Sequence, residues 1–117
     1  MAHATYPQPI VRAPRVHVPN SEAVSFALGG RRISGVLHKI STTGGLARLT
    51  HQVSAGTLAQ IKLNTVVGPV SGIVELLKPD AHVGGTLQPF KFIVLHNDDH
   101  HRLSKMVQVL KERGFSA

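Results

Sequence analysis

A run of hydroxyl and glycine residues, Ser41-Thr42-Thr43-Gly44-Gly45, is the stretch of this sequence best suited to hold a ligand. Glycine adopts positive φ at little cost and lets a ligand approach the backbone closely. Serine and threonine in a turn offer hydroxyl groups, and successive N–H groups can form a nest for an anion. The stretch therefore suits a phosphate group, and a hairpin turn without a ligand is the alternative.

A pair of arginines precedes the first predicted strand. Arg12 and Arg15 flank Pro14, which prevents a helix here and keeps the segment extended or turning. Guanidinium groups at this spacing can clasp a phosphate or stack on a planar base. The segment is thus a second candidate for anion binding, with a pair of solvated surface arginines as the alternative.

Composition narrows the class of protein. The chain of 117 residues has the length of one domain, and because it contains no cysteine, disulfides and thiolate metal sites are excluded. Its net charge of +7 favours anionic partners, but the basic residues are scattered and aromatic residues are few, so nucleic acid is not the expected partner. No apolar run predicts a membrane span and residues 1–8 lack a secretion signal, so a cytoplasmic location is expected.

The pattern of apolar residues along the chain predicts the strands that would position these candidate ligand residues. Short apolar strands separated by glycine- and proline-bearing turns are predicted, with a loop over 78–85. Their predicted ranges are 16–18, 23–28, 33–40, 46–50, 58–63, 70–77 and 89–95. Alternation of side chains predicts that His38 and Ile40 lie on one face of the strand 33–40 and Leu37 on the other. In the strand 89–95 it predicts that Phe90, Phe92 and Val94 lie on one face.

One helix is predicted over about 98–113. Its apolar stripe recurs at helical spacing and consists of Leu103, Met106, Val107 and Leu110. Asn97 or Asp98 is the expected N-cap, and Gly114 is the expected stop. We therefore predict a flexible arm over 1–9 and a single domain over 10–117, in which a small antiparallel barrel (about 15–95) packs against the helix.

Together the two candidate segments resemble the PilZ domain family. That family pairs an RxxxR motif with a downstream (D/N)xSxxG motif, and the most specific likeness here is the run ISTTGGLARL over 40–49. The resemblance spans roughly residues 11–113. It implies a mainly β fold, a six-stranded antiparallel barrel with a C-terminal amphipathic helix. It also implies a receptor for cyclic diguanylate (cyclic di-GMP), a bacterial second messenger.

The family's ligand residues carry over position by position. Arg15 matches the second arginine of the first motif, and Arg12 lies beside the first, which is Val11 here. Lys39 stands where the family has Asp or Asn; lysine has no acceptor for guanine but can contact a phosphate. The implied ligand-binding residues are Arg12, Arg15, Lys39, Ser41, Gly44 and Gly45.

Val11 and Lys39 leave a second hypothesis open. A degenerate PilZ-like domain would not bind cyclic di-GMP and would act as a protein-contact adaptor in motility or pilus assembly. Under either hypothesis we expect a downstream protein effector, no cofactor besides the ligand, and a monomer or weak dimer.

A metal site and a catalytic centre are the two remaining chemistries. The segment 96–101 has metal-ligand residue types, but consecutive side chains at a helix start point in different directions and few can converge on one ion. A polar loop and N-cap is the favoured interpretation. No pairing of nucleophile and base is recognisable, so the chain is not expected to be an enzyme.

Overall fold

The computed structural model describes residues 13–19, 22–82 and 85–117, with the side chains of 80–82 and 85 left aside. The predicted arm over 1–9, together with Val11 and Arg12, lies outside the described residues.

Eight strands and one helix are found in the described part of the chain. The strands are β1 (Val16–His17), β2 (Ala23–Leu28), β3 (Arg31–Ile40), β4 (Gly44–Leu49), β5 (Leu58–Thr65), β6 (Gly68–Leu76), β7 (Asp80–His82) and β8 (Gly85–Val94). The helix α1 spans Asn97–Glu112.

Six of the strands close into an antiparallel barrel. Its order is β3-β2-β5-β6-β8-β4, and β4 pairs again with β3 to complete the ring. The short strands β1 and β7 extend the wall, β1 along the end of β3 and β7 along the start of β8. The predicted fold class, a six-stranded antiparallel barrel with a C-terminal helix, is confirmed.

The barrel interior is filled by alternate residues of its strands. Phe26 and Phe90 are fully buried and meet edge to face, with ring centroids 5.6 Å apart. The predicted stripe of α1 is buried as well, and the helix packs on β6, β1 and β5. One core therefore holds the barrel and the helix together.

Part of the predicted loop over 78–85 is strand. Asp80 pairs with Leu87 and His82 pairs with Gly85, so β8 begins four residues before the predicted 89. The prediction failed because glycine and proline mark a chain reversal without telling whether its flanks pair. Here pairing with β7 satisfies backbone groups of the early β8 that would otherwise lie at a sheet edge.

The predicted faces of strands β3 and β8 are both wrong, because each strand contains an irregularity in its pairing. A bulge between Leu37 and Lys39 turns Leu37 and Ile40 inward together, and a register shift opposite β6 leaves Val94 46 % exposed while Phe90 is buried. An extra residue in a strand reverses the alternation beyond it, and barrels need such bulges to curve.

The helix start also differs from the prediction. His96 is the N-cap, without a side-chain cap bond, and not Asn97 or Asp98. Asp99 is turned to the sheet instead, where its Oδ1 accepts hydrogen bonds from the Ser71 N–H and the Arg102 guanidinium, both at 3.1 Å. The predicted stop is confirmed, since Gly114 takes φ +89° immediately after the C-cap residue Arg113. Of the described helical residues, no stretch is long and apolar enough to cross a membrane.

Candidate ligand-binding site

The Ser41 hydroxyl lies inside its own turn. It accepts hydrogen bonds from the N–H groups of Thr43 and Gly44, both at 3.2 Å, and lies 3.1 Å from the Gly44 carbonyl oxygen. The Ser41 N–H also donates to that oxygen at 2.7 Å. With Ser41 only 1 % exposed, the predicted anion nest is filled by the chain's own hydroxyl. Ser41 therefore sets the shape of the turn.

Gly44 and Gly45 begin strand β4 and do not take positive φ. A Cβ atom on Gly44 would lie 2.2 Å from the Phe90 carbonyl oxygen, and one on Gly45 would lie 2.6 Å from the Lys39 carbonyl oxygen. Both distances are shorter than any real contact of a Cβ atom. The glycine pair is required because neighbouring strands approach closely at this end of the barrel.

The register of β1 on β3 brings the two predicted segments together. Val16 lies opposite Ile40 and His17 opposite Lys39. Continuing that register by one residue places Arg15 beside Ser41. Since Val16 points into the core, Arg15 and His17 point away from it, about 7 Å apart by strand geometry; His17 is exposed and Arg15 is half-buried. The structure therefore gathers Arg15, Lys39 and the Ser41 turn at one end of the barrel.

The residues that follow the helix hold the arginine segment from its other side. The His17 N–H donates to the Phe115 carbonyl oxygen at 2.7 Å, and the Ala117 N–H donates to the Arg15 carbonyl oxygen at 3.0 Å. We call residues 115–117 the tail strand. The segment that carries Arg15 is therefore paired on both edges, to β3 through Val16 and His17 and to the tail strand through the Arg15 carbonyl oxygen.

The β3 bulge places extra basic side chains beside this end. His38 and Lys39 both lie on the outer face, because Leu37 and Ile40 on either side of them are buried. Arg48 of β4 is exposed on the same face. Burial, and then the positive charges of Arg48 and Lys39, lower the pKa of His38 below its usual 6.5.

An open groove adjoins both motifs. It has a volume of about 560 Å³ and runs between Pro14, Thr42 and the outer side of α1, where Lys111 contributes a cation and Glu112 a carboxylate. That volume lies within the usual range of small-molecule sites, about 300–1,000 Å³.

Of the predicted ligand residues, Arg15, Lys39, Ser41, Gly44 and Gly45 come together, while Arg12 lies outside the described residues. Sequence reasoning missed His38 and Arg48 as neighbours of Lys39. The sequence shows Arg48 within the run GGLARL over 44–49, but only the β3–β4 register tells that it lies near His38 and Lys39. In the described ranges, no three histidine or acidic side chains converge as metal ligands, including those of 96–101.

Comparisons with known proteins bear on the fold. No protein-family model matches the sequence, and no curated protein matches it either. Solved structures do match: the PilZ domain of YcgR from Escherichia coli with c-di-GMP superposes with a TM-score of 0.75 at 16% identity, covering 90% of this chain and 94% of that one. The chain has the fold of a PilZ domain.

Two longer proteins share this fold. The K. pneumonia MrkH–c-di-GMP complex gives a TM-score of 0.73 at 17% identity over 90% of this chain and 54% of that one. The Bacillus subtilis inhibitor of motility, MotI/DgrA, gives 0.73 at 10% identity over 91% and 53%. The chain thus spans about half the length of each of these proteins.

Proposed function

We propose that the chain is a receptor module that binds cyclic di-GMP at the barrel end where β1, β3 and the Ser41 turn meet. The observation that carries the proposal is the strand register that pairs Val16 with Ile40 and His17 with Lys39, because its continuation by one residue brings Arg15 to Ser41. Solved structures of the same fold from YcgR and MrkH contain c-di-GMP. The module acts by binding and not by catalysis.

Arg15 and Lys39 supply the charge that this ligand needs. Cyclic di-GMP carries two phosphates and two flat bases, which suit a forked guanidinium and a lysine point charge. Arg12 is proposed as a second guanidinium from the preceding segment. Ser41, Gly44 and Gly45 contribute by fixing the turn that the ligand contacts.

We further propose a role in bacterial second-messenger signalling in the cytoplasm. Binding would place the ligand across the arginine segment and the barrel and so change the surface presented to a downstream protein effector. The pairing of that segment with the tail strand supports this idea, because it connects the site to the end of α1. The module would act as a monomer or weak dimer and would need no further cofactor.

Calorimetric titration of cyclic di-GMP tests the proposal. We expect micromolar or tighter binding, weakened about tenfold or more in Arg15→Ala, because one ionic hydrogen-bonded contact contributes about 1.5–3 kcal/mol. Arg31→Ala is the matched control, since Arg31 is an exposed arginine at the opposite end of β3 and should leave affinity within about twofold. Absence of binding in the unmodified protein contradicts the receptor function.

A protein-contact adaptor that binds no nucleotide is the second candidate. The β8 register shift exposes a patch of apolar side chains on the outer wall, with Ile73 39 %, Ile93 49 % and Val94 46 % exposed. Contiguous exposed apolar side chains commonly mark protein contacts. Lack of binding in the unmodified protein, with binding recovered in Lys39→Asp, would favour this adaptor, because the carboxylate restores an acceptor for guanine.

A further inference from the structure

Basic side chains cluster on the outer face around the motif residue Lys39. His38 and Lys39 are adjacent in the β3 bulge, Arg48 lies on the neighbouring strand, and His17 lies opposite Lys39. The bulge is essential to this cluster, because regular alternation would turn either His38 or Lys39 into the core. Like charges repel, so their assembly on one face favours an anion between them.

Two carboxylates of the surrounding elements whose side chains the structure describes, Glu22 and Glu75, are turned elsewhere or paired. Glu22, just before β2, lines a groove with Val18 and Arg113 near α1. Glu75 of β6 pairs with Lys91 of β8 at 3.4 Å. Neither carboxylate contributes to the shift of His38, whose charged neighbours are Arg48 and Lys39.

We propose that Lys39, Arg48 and protonated His38 form an oxyanion site on the outer face of β3 and β4, where a ligand phosphate is bound with uptake of one proton by His38. The inference rests on the proposed function for the identity of the ligand, cyclic di-GMP. It adds two residues to the site and makes binding depend on pH.

The sign of the pH dependence follows from the charges. Without ligand, burial and two cations lower the pKa of His38, so the imidazole is neutral at neutral pH. A phosphate placed between the three side chains favours the imidazolium and raises that pKa. Binding is therefore weakest above the raised pKa of the complex and strengthens as the pH falls toward the lowered pKa of the free protein. The phosphodiester itself has no second ionisation to contribute.

Two measurements test the site. Cyclic di-GMP affinity is measured by calorimetry between about pH 8 and pH 5.5, with a gain of roughly tenfold expected for each unit by which the ligand raises the His38 pKa. His38→Gln should abolish this gain, whereas His101→Gln, at an exposed histidine of α1, should retain it. Arg48→Gln should weaken binding by about tenfold, with Arg31→Gln as its control.

Histidine NMR titration provides the second readout, with cyclic di-GMP and, separately, with sodium sulfate, which keeps its charge over this range. A rise in the His38 pKa with either anion supports the oxyanion site, and a rise with sulfate alone supports it while contradicting the cyclic di-GMP receptor. Binding of cyclic di-GMP with the His38 pKa unmoved overturns this inference and leaves the receptor function standing. No response to either anion overturns both.

Discussion

The hydroxyl of Ser41 illustrates how a motif residue can act through the backbone. A serine at this position suggests direct ligand contact, yet its Oγ atom binds the N–H groups of Thr43 and Gly44 within the turn. The residue type matters because a buried N–H without a partner is costly. Its contribution to binding is therefore to hold the turn in shape.

Replacing this hydroxyl should cost stability. Ser41→Ala leaves the buried N–H of Gly44 without its side-chain acceptor, and we expect a loss of about 1–3 kcal/mol in the free energy of unfolding, measured by urea denaturation. Ser34→Ala is the control, because Ser34 is exposed on β3 and should change stability by less than about 0.5 kcal/mol. Equal stability of the two variants would contradict the role assigned to Ser41.

A substitution at Gly45 can show whether this glycine is required for close packing of the strands or for close approach of the ligand. A methyl group there would meet the Lys39 carbonyl oxygen and the Phe90 ring, so Gly45→Ala should destabilise the fold by about 3 kcal/mol through overpacking. Gly29→Ala is the comparison: its Cβ meets nothing within 4 Å, and only its φ of +54° makes it costly, by about 1 kcal/mol. Thermal denaturation and a calorimetric titration of Gly45→Ala separate the two explanations. Unchanged stability with lost affinity for cyclic di-GMP would show that the ligand, and not the fold, needs the space beside Gly45.

At the level of elements, strand β8 contains a buried, hydrogen-bonded polar side chain that the alternation of apolar residues did not predict. Gln88 of β8 is fully buried; its Oε1 accepts from the Val53 N–H, and its Nε2 donates to the carbonyl oxygens of Val53 and Leu77. One side chain thereby ties the connection after β4 and the end of β6 to the barrel. It replaces the backbone partners that these irregular segments lack.

Gln88→Leu preserves the approximate size and removes all three bonds. We expect a loss of about 2–4 kcal/mol in the free energy of unfolding, because the buried groups of Val53 and Leu77 lose their partners. Gln108→Leu, on the exposed side of α1, should cost less than about 0.5 kcal/mol. A Gln88→Leu variant as stable as Gln108→Leu would show that water replaces the buried amide.

How far the sequence predicts this fold depends on the kind of information each element carries. The α1 stripe was predictable because Leu103, Met106 and Leu110 recur at helical spacing. The faces of β3 and β8 were not, since a bulge depends on the curvature of the closed barrel and leaves no local signal. For the site, residue types identified Arg15 and Lys39, but only the β3–β4 register brings Arg48 beside His38.

At the scale of the whole molecule, the tail strand connects the core to the site. Phe115 packs against the hydrophobic core, and the backbone of residues 115–117 pairs with β1. The arginine segment is thus held in place before any ligand arrives. Such preorganisation lowers the entropy that binding must overcome.

Removing the chain from Phe115 onward should therefore weaken binding as well as stability. Fixing one residue's backbone costs about 1–2 kcal/mol, so freeing the Arg15 segment should lower cyclic di-GMP affinity about tenfold. Ser116→Ala in the full chain is the control, because the pairing uses backbone groups and should survive. Calorimetry on both proteins at a temperature where both are folded gives the test, and unchanged affinity in the shortened protein would contradict the coupling.

The tail strand also sets an order of events during synthesis. Arg15 leaves the ribosome early, while the backbone group of Ala117 that pairs with it follows roughly 100 residues later. At about 5–20 residues per second, the arginine segment waits on the order of 5–20 s for this partner. A nascent chain therefore does not present the finished site, and full affinity for the signal arises only after the helix and the tail strand have emerged.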